Sequence, residues 1–231
     1  MVIGTTIYLP LIFALGIGLV EYWSKRVDLR HKSYIQKLVS FSAGVSITYA
    51  LLELFPLFTE AAFAINKLLF LSVLFGFTIH HFIEKEIYQH NKRFHLIKTI
   101  SLEENIFYYV YHLILGIVLV TFTKQSLVVG TLFFFSILSY TIVGNLPSFP
   151  HKSSKKALLL SSSTLIGTLF ATLVWVNRAP WIEFALIGLA TGVLLFTVTR
   201  HHIPFGRKGS VGYFALGFIF YSVLIISSWY I

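Results

Sequence analysis

The chain has 231 residues, of which 56% are hydrophobic and only 12% charged, with a mean hydropathy of +0.80 and a formal charge of +9. A soluble domain carries about twice that share of charge, so most of this surface must face something other than water. Cysteine is absent, which excludes disulfides, thiolate zinc sites and thiolate catalysis.

Apolar stretches long enough to cross a bilayer recur along the chain. They predict helices near 3–22, 38–58, 64–83, 106–123, 127–146, 157–176, 181–199 and 211–231. In lipid every backbone polar group must be paired internally, and runs this long and continuous point to helices rather than barrel strands. The expected fold is therefore an all-α polytopic membrane protein of eight spans, a single transmembrane domain over residues 1–231.

The basic residues alternate between loops. Fifteen fall after the first, third, fifth and seventh spans, beginning with Lys25 and Arg26 and ending with Arg207 and Lys208; the other loops hold Lys67, Lys124 and Arg178. By the positive-inside rule the basic loops are cytoplasmic, so both termini are expected on the non-cytoplasmic side of the plasma (inner) membrane. The charge thus reads as membrane topology, with the lipid bilayer as partner and no nucleic acid. The longest polar stretch, 84–105, is expected to be a cytoplasmic loop, with Glu103 and Glu104 starting the fourth helix. Trp23, Trp175, Trp181 and Trp229 fall near span ends, as an interfacial aromatic belt requires.

Two triplets of spans resemble each other. Span 2 carries Ser42-Ala43-Gly44-Val45 with Pro56 twelve residues after the glycine, and span 7 carries Ala190-Thr191-Gly192-Val193 with Pro204 at the same distance. Span 3 holds Phe75-Gly76-Phe77 and span 8 holds Leu216-Gly217-Phe218. The charge map orients the triplets oppositely. The chain then divides into a first three-helix repeat (1–83), the loop 84–105, a central pair (106–146) and a second, inverted repeat (157–231), a pattern typical of secondary transporters.

Phe41-Ser42-Ala43-Gly44-Val45 through Glu53-Leu54-Phe55-Pro56, Gly76-Phe77 through Glu84-Lys85, and the span 7 and 8 motifs together resemble the ZIP family of divalent-metal transporters. The resemblance implies a 3+2+3 arrangement, a homodimer, and a divalent metal ion such as zinc handled at spans 4 and 5. Here the span 4 positions of the family's His and acid hold Tyr111 and Leu115, and Ser139 and Val143 stand at the span 5 positions. His112 is one residue off, about 100° around the helix. Glu53 takes the span 2 position before the proline.

The transport-path candidates are Glu53, His112, Tyr111, Ser139 and Asn145. Of these, Glu53 and His112 are candidate metal ligands, since ionisable groups inside spans are costly and mark function by default. Asn145 and Ser139 equally suit hydrogen bonds between helices. His90, His95, His201 and His202 form a candidate cytoplasmic metal-sensing patch, but their spacing is too loose for a di-iron histidine box. No nucleophile–base pair, paired carboxylates or phosphate loop is present, so an enzyme is not expected. Two functions stay open: a divergent transporter of a divalent metal ion or other small solute, and a non-transporting protein of the same fold serving as sensor, scaffold or subunit of a membrane complex.

Overall fold

A computed structural model describes residues 2–26, 33–90, 93–144, 154–203 and 209–230. Helices account for nearly all of these residues, and no strand occurs among them. The order is α1 (Val2–Ser24), α2 (Ser33–Tyr49), α3 (Phe55–Ile65), α4 (Phe70–His90), α5 (Arg93–Gln125), α6 (Leu127–Gly144), α7 (Ser154–Ser161), α8 (Ser163–Leu169), α9 (Pro180–Thr197) and α10 (Val211–Ser228).

Four helical stretches are long and apolar enough to cross a membrane: Tyr34–Ile65, Asn105–Gln125, Pro180–Arg200 and Val211–Ser228. A fifth is the pair Lys155–Ser161 and Ser163–Val174, bent by 43° at Ser162. Shorter apolar helices cover Tyr8–Ser24, Lys67–Phe82 and Leu127–Ile142. The exposed faces of α4 and α10 are rich in Leu, Ile, Val and Phe, including Leu71, Leu74, Phe75, Leu216, Phe218 and Ile219. Such faces suit lipid rather than water. The polar stretch 84–105 is largely helical: α4 runs on to His90, and α5 begins at Arg93, ten residues before Glu103.

The long stretch Tyr34–Ile65 is continuous because its proline is absorbed by a widened turn. Residues Ala50–Leu54 form a π-turn, and Pro56 opens α3. Proline has no N–H to donate and its ring crowds the preceding turn, so a local change of helical pitch relieves both problems. A π-turn also follows α9 at the same offset, though there the helix ends with it and Ile203 is extended. The π-turn Val198–His202 starts six residues after Gly192 and ends two before Pro204, as Ala50–Leu54 starts six after Gly44 and ends two before Pro56.

The packing repeats this match. The most extensive helix contacts are α2 on α10 and α4 on α9. A Cβ on Gly44 would meet the Phe214 carbonyl and the Phe218 amide of α10, and one on Gly217 would meet the Phe41 carbonyl of α2. Likewise a Cβ on Gly192 would meet the Val73 carbonyl and the Phe77 amide of α4, and one on Gly76 the Leu189 carbonyl of α9. Each glycine therefore faces the carbonyl three residues before its partner glycine. At this separation only hydrogen fits, and the two backbones touch directly. The third crossing, α5 on α8, uses Gly116 and Gly167 in the same way, against the Thr164 and Leu113 carbonyls.

Candidate functional site

The most chemically loaded place in the molecule lies where α1, α5 and α8 meet. Glu21, on the last turn of α1, is fully buried and accepts a bond from Lys25 Nζ at 2.5 Å. Lys25, just past the helix end, is itself only 6% exposed and lies 4.0 Å above the Tyr108 ring of α5. Burial pulls its ammonium below the usual lysine range, while Glu21 pulls it back up.

His112, one turn after Tyr108, is 0% exposed. Its ring stacks on Tyr108 with centroids 4.0 Å apart. Its Nδ1 lies 3.0 Å from Thr164 Oγ1 of α8 and 3.6 Å from Glu21 Oε2. Its Nε2 is buried and has no partner. The group thus ties three helices together with one carboxylate, one ammonium, one imidazole and one hydroxyl. With its carboxylate paired to Lys25 and a single imidazole, the set offers fewer free ligands than a divalent metal takes.

At the other end of α8 a second charged group closes the same helix contact. Arg178 donates through Nε to Glu183 at 2.8 Å, through Nη1 to the carbonyls of Trp175 and Ala171 at 2.9 and 3.2 Å, and through Nη2 to Thr121 Oγ1 of α5 at 3.2 Å. Those carbonyls close the π-turn Phe170–Val174, where helix ends leave acceptors unpaired. Glu183 sits in the first turn of α9, where a carboxylate also meets the positive end of the helix dipole. The guanidinium is nearly saturated with acceptors, as a structural clamp requires.

The candidates from the sequence fall into separate groups. Glu53 lies in the π-turn Ala50–Leu54 and accepts from Trp229 Nε1 at 3.4 Å. Ser139 donates to Ser42 Oγ of α2 at 3.0 Å. Tyr111 is buried edge-on against Tyr140, 6.0 Å between centroids, and its hydroxyl has no partner. His112 belongs to the Glu21–Lys25 group and shares no partner with Glu53 or Ser139. Asn145, and the side chains of His90, His95, His201 and His202, lie outside the described residues. Among the described residues no three His, Asp or Glu side chains come together to hold a metal ion.

Sequence reasoning passed over Glu21 and Lys25. A signal was present: a carboxylate at the end of an apolar span with a lysine four residues on, the spacing of one helical turn. The basic loop that follows hid it, because Lys25 read as one of five cytoplasmic charges. No family model matches the chain, and no curated protein matches it either. The likeness to ZIP transporters rests on the motifs themselves.

Proposed function

We propose that the chain is an eight-span membrane transporter of ZIP-like architecture, built from two inverted three-helix repeats around a central pair, that moves a divalent metal ion or other small solute. The observation that carries this reading is the match between the two repeats. Gly44 with Gly217 and Gly192 with Gly76 make crossings of the same offset, and each repeat widens its helix at the same distance before a proline. Two units of one design, oppositely oriented by their loop charges, supply the two related conformations that alternating access needs. Broken or widened helix turns at matching places are where such proteins expose backbone to a solute. On this reading the termini lie outside the plasma membrane, and two copies pair as in the family resembled.

The vacant ligand positions at Tyr111, Leu115, Ser139 and Val143 weigh against a soft transition metal held as in that family. The second reading, a non-transporting subunit or sensor, is favoured by one observation: Glu53, His112 and Ser139 spend their polar atoms on separate helix contacts. Uptake into proteoliposomes separates the two readings. Saturable uptake of zinc, manganese or iron that is lost in Glu53→Ala or His112→Ala places a metal path through spans 2 and 4. Absence of flux for every ion and small solute tried, from protein shown to be folded, leaves the non-transporting reading.

A further inference from the structure

Hydroxyl side chains in these helices mostly satisfy themselves. Thr48, Ser72, Thr123, Thr191 and Thr197 each donate back to a carbonyl three or four residues earlier. This is the ordinary solution in lipid, where no water is at hand. Ser46 of α2 and Ser136 of α6 depart from it: each is at most 1% exposed, and neither hydroxyl has a partner. The hydroxyls of Tyr49 on α2 and Tyr111 on α5 are likewise buried and unpartnered. Thr59 and Ser222 are also without partners, but on half-buried positions.

These four groups belong to one seam. Ser42 of α2 bonds to Ser139 of α6, and seven residues on, Tyr49 packs its ring 5.9 Å from that of Phe133, six residues back along α6. The two helices therefore run antiparallel here. Ser46, four residues past Ser42, and Ser136, three before Ser139, fall at facing positions between those contacts. Tyr140, one turn from Ser136, carries the seam to α5, where Tyr111 packs edge-on against it. Unpaired buried hydroxyls cost free energy unless something occupies them. Four of them on one seam point to a guest that both donates and accepts hydrogen bonds, since each hydroxyl offers both roles.

The charge of that guest follows from the walls. Glu53 stands at one end of the seam, one turn after Tyr49, and accepts from Trp229, while at the other end Tyr111 meets the ring of His112, whose neighbour Glu21 is paired with Lys25. From Tyr49 past Ser46 and Ser136 to Ser42 and Tyr111 the seam's groups are hydroxyl and aromatic, with Glu53 beyond the Tyr49 end. A cation could meet Glu53 at that end, but between Ser46 and Tyr111 it would lose its hydration with no carboxylate among the seam's groups to offset the loss. Resting on the transporter reading, we infer that the α2–α5–α6 seam binds and passes a small uncharged hydrogen-bonding solute of the urea or glycerol class, rather than a metal ion.

Stopped-flow light scattering on proteoliposomes holding the full chain tests this with urea and glycerol as probes, beside fluorescence assays of zinc and sodium entry. The inference expects protein-dependent urea or glycerol flux that falls at least fivefold in both Ser46→Ala with Ser136→Ala and Tyr49→Phe with Tyr111→Phe. Each double variant removes unpaired hydroxyls, so each should elute as wild type and melt at the same temperature or higher. Zinc or sodium entry without urea or glycerol flux would leave the transporter reading standing and overturn the inference. Urea or glycerol flux that both folded variants leave unchanged would overturn it as well. No flux of any probe from folded protein would sink both.

Discussion

Replacing Lys25 by Met tests whether the Glu21–Lys25 group is a sealed ion pair. The substitution leaves the Glu21 carboxylate fully buried, with Tyr108 and His112, 3.6 Å away, as its remaining company. Breaking one half of a buried pair costs about 3–5 kcal/mol, because the surviving charge is left without its counterion. Replacing both partners, Glu21→Gln with Lys25→Met, removes the stranded charge and should recover most of that loss. At roughly 2–4 °C per kcal/mol for a chain of this size, Lys25→Met should melt about 6–20 °C below wild type, and the double variant close to it. Thermal unfolding of detergent-solubilised protein, followed by fluorescence-detected size exclusion, reads both values and gives the coupling by a double-mutant cycle. Losses below about 1 kcal/mol in the single variants, simply adding in the double, would mean that the pair behaves as an exposed one and would refute the burial argument.

The glycine crossings make a second prediction: Gly44→Ala and Gly192→Ala each set a methyl against a backbone carbonyl of the facing helix, and should destabilise by similar amounts, about 1–3 kcal/mol or more, in the same melting assay. Gly212→Ala, with open space at its Cβ, should change the melting temperature little. Arg178→Gln removes donors from the carbonyls of Ala171 and Trp175 and from Glu183, and should cost about 2–4 kcal/mol; Glu183→Gln, which keeps the other bonds, should cost less. Ser139→Ala breaks one hydrogen bond between α2 and α6 and should cost about 0.5–1.5 kcal/mol by the same measurement, against little or no loss if the hydroxyl faced water in an open path.

Much of the architecture was legible because it is written in composition along the chain. Each of the eight apolar segments falls on one of the apolar helices, and the glycine offsets marked positions where α2 meets α10 and α4 meets α9. The proposed 3+2+3 arrangement rests on charge and motif, since helix length alone marks four spans and a bent fifth. The start of α5 was not legible. Arg93 to Asn105 is polar, and hydropathy sees only where a helix is greasy, not where it continues beyond the bilayer. The site was less legible still. That Ser139 would spend its hydroxyl on Ser42, or that His112 would turn to Thr164 and Glu21, depends on which helices cross and at what rotation. Sequence placed His112 off the face of Tyr111 and named it a path and metal-ligand candidate, but not its partners Thr164 and Glu21. The Glu21–Lys25 pair was readable from spacing alone, and it was the density of basic residues around Lys25 that masked it.

The proposal of two oppositely oriented repeats is tested most directly by single-cysteine labelling, for which the chain is ready because it contains no cysteine of its own. Cysteines introduced one at a time at Asn66, Lys85, Lys124 and Lys155 would be exposed to a membrane-impermeant maleimide in intact cells and again after permeabilisation. Labelling from outside is expected at Asn66 and Lys124, and labelling only after permeabilisation at Lys85 and Lys155. Outside labelling at Lys85 or Lys155, or protection of Asn66 and Lys124 in intact cells, would contradict the inverted arrangement.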